Sequence, residues 1–202
     1  MSTESESKFA IRDFSGVENK LCTCGTLCTP WHFEHNTVFD TPDGSLRAQG
    51  ILLRLREAPT NTLTLKRPLS QVTGSSAHIK HLEEIESKIS DISTAQRIFE
   101  ALGYRPILCY EKFRSIWQVT ACSVFLDQLP FGKFIEIEGN ESTICETAQQ
   151  LGLDPKSASA QNYHQLFKHY LTAHDLPMKE SFCFSENERL ACTKKLGIPE
   201  KA

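Results

Sequence analysis

Charged side chains at every second position mark this chain. Near its start Glu4, Glu6 and Lys8 alternate with Ser5 and Ser7. Glu136 and Glu138 repeat the carboxylate pair late in the chain, and Glu84 and Glu86 repeat it midway. Arg54 with Arg56 and Lys112 with Arg114 have the same spacing, and Lys66, Lys80 and Asp127 sit in similar alternating runs. In a β-strand, alternate residues share a face, so each set would point one way. Carboxylate oxygens are ligands for hard divalent cations. Arginine and lysine bind phosphate oxygens. A surface holding both in number suits a polyanion that travels with its cations, such as triphosphate with Mg²⁺ or Mn²⁺.

The segments that carry these charges read as strands. "ILLRLRE" sets Ile51, Leu53 and Leu55 against Arg54 and Arg56, and "NTLTLKR" sets Leu63 and Leu65 against Lys66. "ESKFAI", "WHFEHNTVFDT", "AHIKHLEEIES", "ILCYEKFRSIWQV", "CSVFLDQL" and "KFIEIEG" complete seven or eight strands in mostly meander order. Helices are expected after Ser93 or Thr94 (with Ile98, Phe99 and Leu102 as the apolar stripe and Gly103 as the stop), from Ser142 to about Leu151, and near 160–173. Residues 15–28 read as a short helix with a poor pattern, and no structure is assigned to 181–202. The pattern predicts an α+β fold with an antiparallel sheet curled into a barrel. For one strand alone, a charged face turned to water would be the simpler reading. If the sheet closes, the helices cover its apolar outer face and the charges line its interior. Interior charge on that scale requires paired partners or a ligand.

The 202 residues suit one domain, or one domain with an appendage, and an apolar share of 40% supports a core. A formal charge of −3 predicts no general attraction to nucleic acid or to a membrane surface. The chain shows neither a signal-peptide pattern nor an apolar window long enough to span a bilayer, so the expected compartment is the cytoplasm. The eight cysteines are then expected as thiols. "CTCGTLC" with His32 and His35 nearby lacks a clear second ligand pair for zinc or iron.

The E-x-E-x-K at Glu4, Glu6 and Lys8 resembles the signature of the CYTH family, the triphosphate tunnel metalloenzymes. So, in order along the chain, do "VFDTPDGSLRAQGILLRLRE", "LTLKRP", the Glu84–Glu86 pair, "EKFRSIW" and "VFLDQLPFGKFIEIEG". The resemblance implies a closed eight-stranded antiparallel β-barrel with helices packed outside, over residues 1–175, followed by a tail at 176–202. It implies metal ligation by Glu4, Glu6, Glu136 and Glu138, with Glu84, Glu86 and Asp127 as further candidates. Phosphate binding falls to Lys8, Arg54, Arg56, Lys66, Lys80, Lys112 and Arg114, and catalytic roles to Glu4, Glu6, Lys8 and Lys66. Glu84 and Glu86 either orient a second ion or pair with the bases.

The implied ligand is a triphosphate-containing small molecule, bound by a monomer or homodimer without nucleic acid or membrane. Hydrolysis of inorganic or nucleoside triphosphate is the first expectation. Leu52 stands where thiamine triphosphatases of the family resemble a tryptophan, which argues against thiamine. Only Met-Ser-Thr precedes Glu4, without the His-Phe pair of the class IV adenylate cyclases, which lowers the cyclase reading. A non-catalytic anion-binding module would need the bases but not the carboxylates.

Overall fold

The structure, a computed structural model, describes residues 2–68 and 80–199, with side chains described throughout those ranges except at 2–4 and 80–81. It is α+β. Eight antiparallel strands follow the chain as β1 (Ser2–Ile11), β2 (Thr26–Asp40), β3 (Leu52–Glu57), β4 (Thr62–Pro68), β5 (Lys80–Lys88), β6 (Arg105–Val119), β7 (Cys122–Leu129) and β8 (Gly132–Glu138). Their order in the sheet is β1-β5-β4-β3-β2-β6-β7-β8. β1 has partners on both sides. Residues 2–6 lie along β5 and residues 6–11 along β8, so Glu6 is the residue in register with both.

Six helices are described: α1 (Ser15–Cys24), α2 (Ser45–Ala48), α3 (Ile92–Ala101), α4 (Glu141–Gln150), α5 (Tyr163–Ala173) and α6 (Glu186–Lys195). The alternation explains their placement. Phe9, Val124, Leu126, Ile135 and Ile137 leave the sheet on its outer face and pack with Val17 and Leu21 of α1 and with Ile144 and Ala148 of α4. Leu53 and Leu55 do the same on the other side, against Ala95 and Phe99 of α3. Each fully buried Phe, Leu, Ile or Val among these stabilises the fold by about 1.5–3 kcal/mol.

Three local expectations differ from the structure. The cap of α3 is Asp91, not Ser93 or Thr94. Its carboxylate accepts from the Thr94 amide at 3.0 Å and from the Ser93 and Thr94 hydroxyls. Ile98 and Leu102 of the supposed stripe are exposed at 53% and 69%, and only Phe99 turns inward, edge-on to Phe39. The tail holds α6, started by a capping box in which Ser185 and Glu188 satisfy each other's amides.

One helix is not outside. Tyr163, Phe167 and Leu171 of α5 pack with Val38, Leu108, Tyr110 and Phe134, which share the inward face of their strands with the charged residues. Helix α5 therefore plugs one end of the sheet's interior.

Candidate active site

Register brings the carboxylates together. On the β1–β8 ladder Lys8 lies opposite Glu136 and Glu6 opposite Glu138. Oxygens of Glu6, Glu136 and Glu138 lie within 4.8 Å of one another. The Lys8 ammonium sits 2.9 Å from Glu6 and 3.0 Å from Glu136. Burial alone would lower the Lys8 pKa, but Glu136 and Glu6 outweigh it and raise the pKa above the ordinary lysine value. Glu136 is held well below the usual carboxylate range. Burial opposes this, and the charges of Lys8 and Arg114 overcome it.

Arg114 joins this group from β6. Its guanidinium donates to Asp127 at 2.6 Å through Nε and 2.5 Å through Nη2, and to Glu136 at 2.8 Å. Asp127 is fully buried, and it also accepts from Lys112 at 3.3 Å and from the Tyr163 hydroxyl at 2.6 Å. Both its oxygens are thus engaged by other side chains, and it lies outside the Glu6–Glu136–Glu138 group. The Tyr163 pKa rises well above its ordinary value because burial and the neighbouring Asp127 and Glu136 disfavour a phenolate.

A second carboxylate hub comes from β2, where His32, Glu34 and Asn36 alternate inward. Glu34 is 1% exposed, lies 3.6 Å from Arg56 and 3.7 Å from Lys112, and receives His32 at 3.3 Å. Burial would raise its pKa, but Arg56 and Lys112 hold it well below the carboxylate range. Arg54 donates to the Tyr110 hydroxyl at 2.9 Å and to Thr64 at 3.1 Å. Its buried Nε has no hydrogen-bond acceptor among the described residues. Lys66 pairs across the β4–β5 ladder with Glu84 at 3.4 Å, and Glu86 approaches Arg54 at 3.8 Å.

These side chains surround one cavity of about 840 Å³, lined by Glu6, Lys8, Arg54, Arg56, Lys66, Glu84, Glu86, Lys112, Arg114, Glu136 and Glu138. The side chains of Glu4 and Lys80 lie outside the described residues. Glu34, Tyr110 and Tyr163 were not singled out in the sequence. Glu34 was readable from the His32–Glu34–Asn36 alternation, as Tyr110 was from its parity with Lys112. Tyr163 lies on a helix, and no strand pattern could place it inside. Cys22 and Cys28 are exposed and Cys24 half-buried, and the metal-competent group found among the described residues consists of glutamates.

The fold and the inward charge define a class: an antiparallel sheet wrapped around a cavity lined by acids and bases. The CYTH domain model matches residues 3–161, and the chain belongs to the CYTH domain family. That family consists of metal-dependent tunnel enzymes that bind triphosphate-containing substrates and includes adenylate cyclases and triphosphatases.

Among solved structures, a Vibrio parahaemolyticus protein described as a candidate adenylate cyclase is 24% identical with a TM-score of 0.71, over 82% of this chain and 98% of its own. The PH1012 protein of Pyrococcus horikoshii is 21% identical with a TM-score of 0.65, over 79% and 96% of the two chains. A Hippeastrum protein, described as a candidate adenylyl cyclase with a dominant triphosphatase activity, is 17% identical with a TM-score of 0.57, over 88% and 98%. These likenesses concern the fold. No curated protein matches the chain. Among the described residues no helix is long and apolar enough to cross a membrane.

Proposed function

We propose that this protein is a divalent-metal-dependent triphosphatase that cleaves inorganic triphosphate or a nucleoside triphosphate at its terminal phosphorus, within a closed tunnel formed by residues 1–175. The observation that carries this reading is the clustering of Glu6, Glu136 and Glu138 within 4.8 Å beside the buried Lys8 and Arg114. Simple anion binding would not require that carboxylate group.

The donor set fits the ion. It consists of carboxylate oxygens alone, which suit Mg²⁺ or Mn²⁺ over softer metals. Glu6, Glu136 and Glu138, with Glu4, would hold it. When bound, the ion supplies charge neutralisation to phosphate oxygens. The chain's own bases do the rest. Arg54, Arg56, Lys66 and Lys112, with Lys80, grip the phosphate oxygens, and the Nε of Arg54, which has no acceptor among the described residues, is a donor ready for one of them. Lys8 and Arg114 lie next to the carboxylate group and stabilise charge that builds on the transferring phosphoryl group. Asp127 and Tyr163 hold Arg114 and Lys112 in place. Glu84 pairs with Lys66 until the anion replaces it.

A second reading, cyclisation of ATP, draws on one observation. The cavity also has apolar walls, with Ile51, Leu52, Ile107 and Leu108 among its lining residues, which would accept an organic group. The two reactions part at the product. Purified protein is incubated with inorganic triphosphate, ATP or thiamine triphosphate, each with Mg²⁺ or Mn²⁺, and every product is identified. Orthophosphate from inorganic triphosphate is expected. Cyclic AMP and pyrophosphate from ATP, with inorganic triphosphate untouched, would replace the hydrolase by the cyclase.

A further inference from the structure

The segment 179–184 runs as a strap beside the cavity. Lys179 and Glu180 line the cavity itself. Glu180 is clamped between Arg47 of α2, which donates at 3.2 Å through Nη1, and Lys168 of α5 at 3.8 Å. Phe182, 2% exposed, inserts its ring among Tyr110, His164, Phe131 and Phe167 at centroid distances of 5.0–5.2 Å. The strap also adds to β6 as a short parallel bridge between Tyr110 and Phe182. The Phe182 amide donates to the Cys109 carbonyl at 3.2 Å and the Glu111 amide to the Phe182 carbonyl at 3.0 Å. The Cys109 amide donates to the Ser181 hydroxyl at 3.0 Å.

This pairing sets two thiols side by side. The sulfurs of Cys109 on β6 and Cys183 on the strap are 3.4 Å apart, although 74 positions separate them in the chain. Cys183 is exposed and Cys109 half-buried, so a small oxidant can reach the pair. A disulfide bond of about 2.05 Å requires the two sulfurs to close that remaining gap. The backbone is already held in place by the hydrogen bonds on either side.

We propose that Cys109 and Cys183 are a dithiol modification site, oxidised by a small-molecule disulfide such as glutathione disulfide, and that the resulting bond staples the strap to β6 beside the cavity. One thiolate of the pair attacks one sulfur of the oxidant, forming a mixed disulfide and releasing one thiol. The sulfur of the other cysteine then attacks that mixed disulfide, forming the internal bond and releasing the second thiol. The pair loses two protons and two electrons, and the oxidant is reduced to two thiols. Burial and the neighbouring Cys109 push the Cys183 thiol up to about 12. The inference does not depend on which triphosphate the cavity takes.

The test uses the full chain, reduced or equilibrated with glutathione disulfide. Peptide mass mapping under non-reducing conditions is expected to show one dominant cross-link, Cys109 to Cys183, reversed by dithiothreitol and absent from Cys109→Ser and Cys183→Ser. Amide exchange across 179–184 is expected to slow at least about tenfold on oxidation in the wild type and in neither variant. A dominant cross-link among the other six cysteines would overturn the proposal. So would a stable mixed disulfide with glutathione at Cys109 or Cys183, or a 109–183 bond that leaves strap exchange unchanged.

Discussion

The Lys8 ammonium lies 3.0 Å from a carboxylate oxygen of Glu136, directly across the β1–β8 ladder. Glu6 approaches the same ammonium from two residues earlier on β1, at 2.9 Å. A buried cation thus balances two of the three carboxylates in the proposed metal group. Removing it leaves those carboxylates buried with less compensation, which costs about 3–5 kcal/mol when one partner of a buried pair is lost. Lys8→Met is therefore expected to melt well below the wild type without metal. Mn²⁺ should restore more stability to the variant than it adds to the wild type. Melting curves with and without Mn²⁺ check this, and equal metal-induced shifts in both proteins would refute it.

The carboxylates themselves make the complementary prediction. Glu136→Gln and Glu6→Gln keep shape and remove charge. Each is expected to weaken Mn²⁺ binding at least about tenfold, by analogy with losses at supporting shells of metal sites. Triphosphate turnover should fall with it, while the fold survives. Calorimetric titration with Mn²⁺ and turnover at saturating metal read the two effects separately. Wild-type affinity in both variants would remove these residues from the metal site.

Asp127 tests positioning. It is fully buried and takes donors from Arg114, Lys112 and Tyr163. Asp127→Ala takes the shared carboxylate from two buried cations, leaving Arg114 with Glu136 and Lys112 with Glu34, and is expected to lose about 3–5 kcal/mol of stability. Tyr163→Phe removes one hydrogen bond to a charged acceptor and is expected to lose about 1.5–3 kcal/mol. Denaturant titration measures both. If Asp127→Ala costs no more than Tyr163→Phe, Asp127 does not anchor the two cations.

Much of this site was legible because a strand's period is two. Arg54 and Arg56 against Leu53 and Leu55 separated the two faces of the strand before any contact was known, and which face turned inward followed only once the sheet was taken to close. Register was not legible. Nothing in the sequence says that Lys8 meets Glu136 or Arg114 meets Asp127, since each is a pairing between strands chosen by the whole sheet. The interior role of α5 was hidden for a related reason. Tyr163, Phe167 and Leu171 read as an ordinary amphipathic stripe, and only the topology shows that the surface they cover is the inner one. The strap was missed because residues 179–184 have neither period, and their anchorage comes from Phe182 and from borrowed β6 hydrogen bonds.

The last prediction concerns His164, which lies where α5, β6 and the strap meet. Its ring is 5.2 Å from that of Tyr110 and 5.0 Å from that of Phe182. Burial lowers its pKa from 6.5 to about 4, a pull that the Glu180 contacts only partly offset and that Arg47 and Lys168 reinforce. The folded-state value lies below the unfolded one, so in acid the unfolded chain binds this proton first. Stability from this group is complete above 6.5 and is lost as the pH falls toward 4. The loss is on the order of 3 kcal/mol at most, at about 1.4 kcal/mol for each pH unit. Glu34 and Glu136 are depressed from 4.5, so their own losses begin lower and leave the upper part of the window to His164. Denaturant titrations at about pH 7 and about pH 5 should show wild-type stability falling and that of His164→Gln changing much less. The comparison is between slopes, so a uniform cost of the substitution does not matter. Parallel declines in the two proteins would show that His164 titrates normally and is not buried as the structure places it.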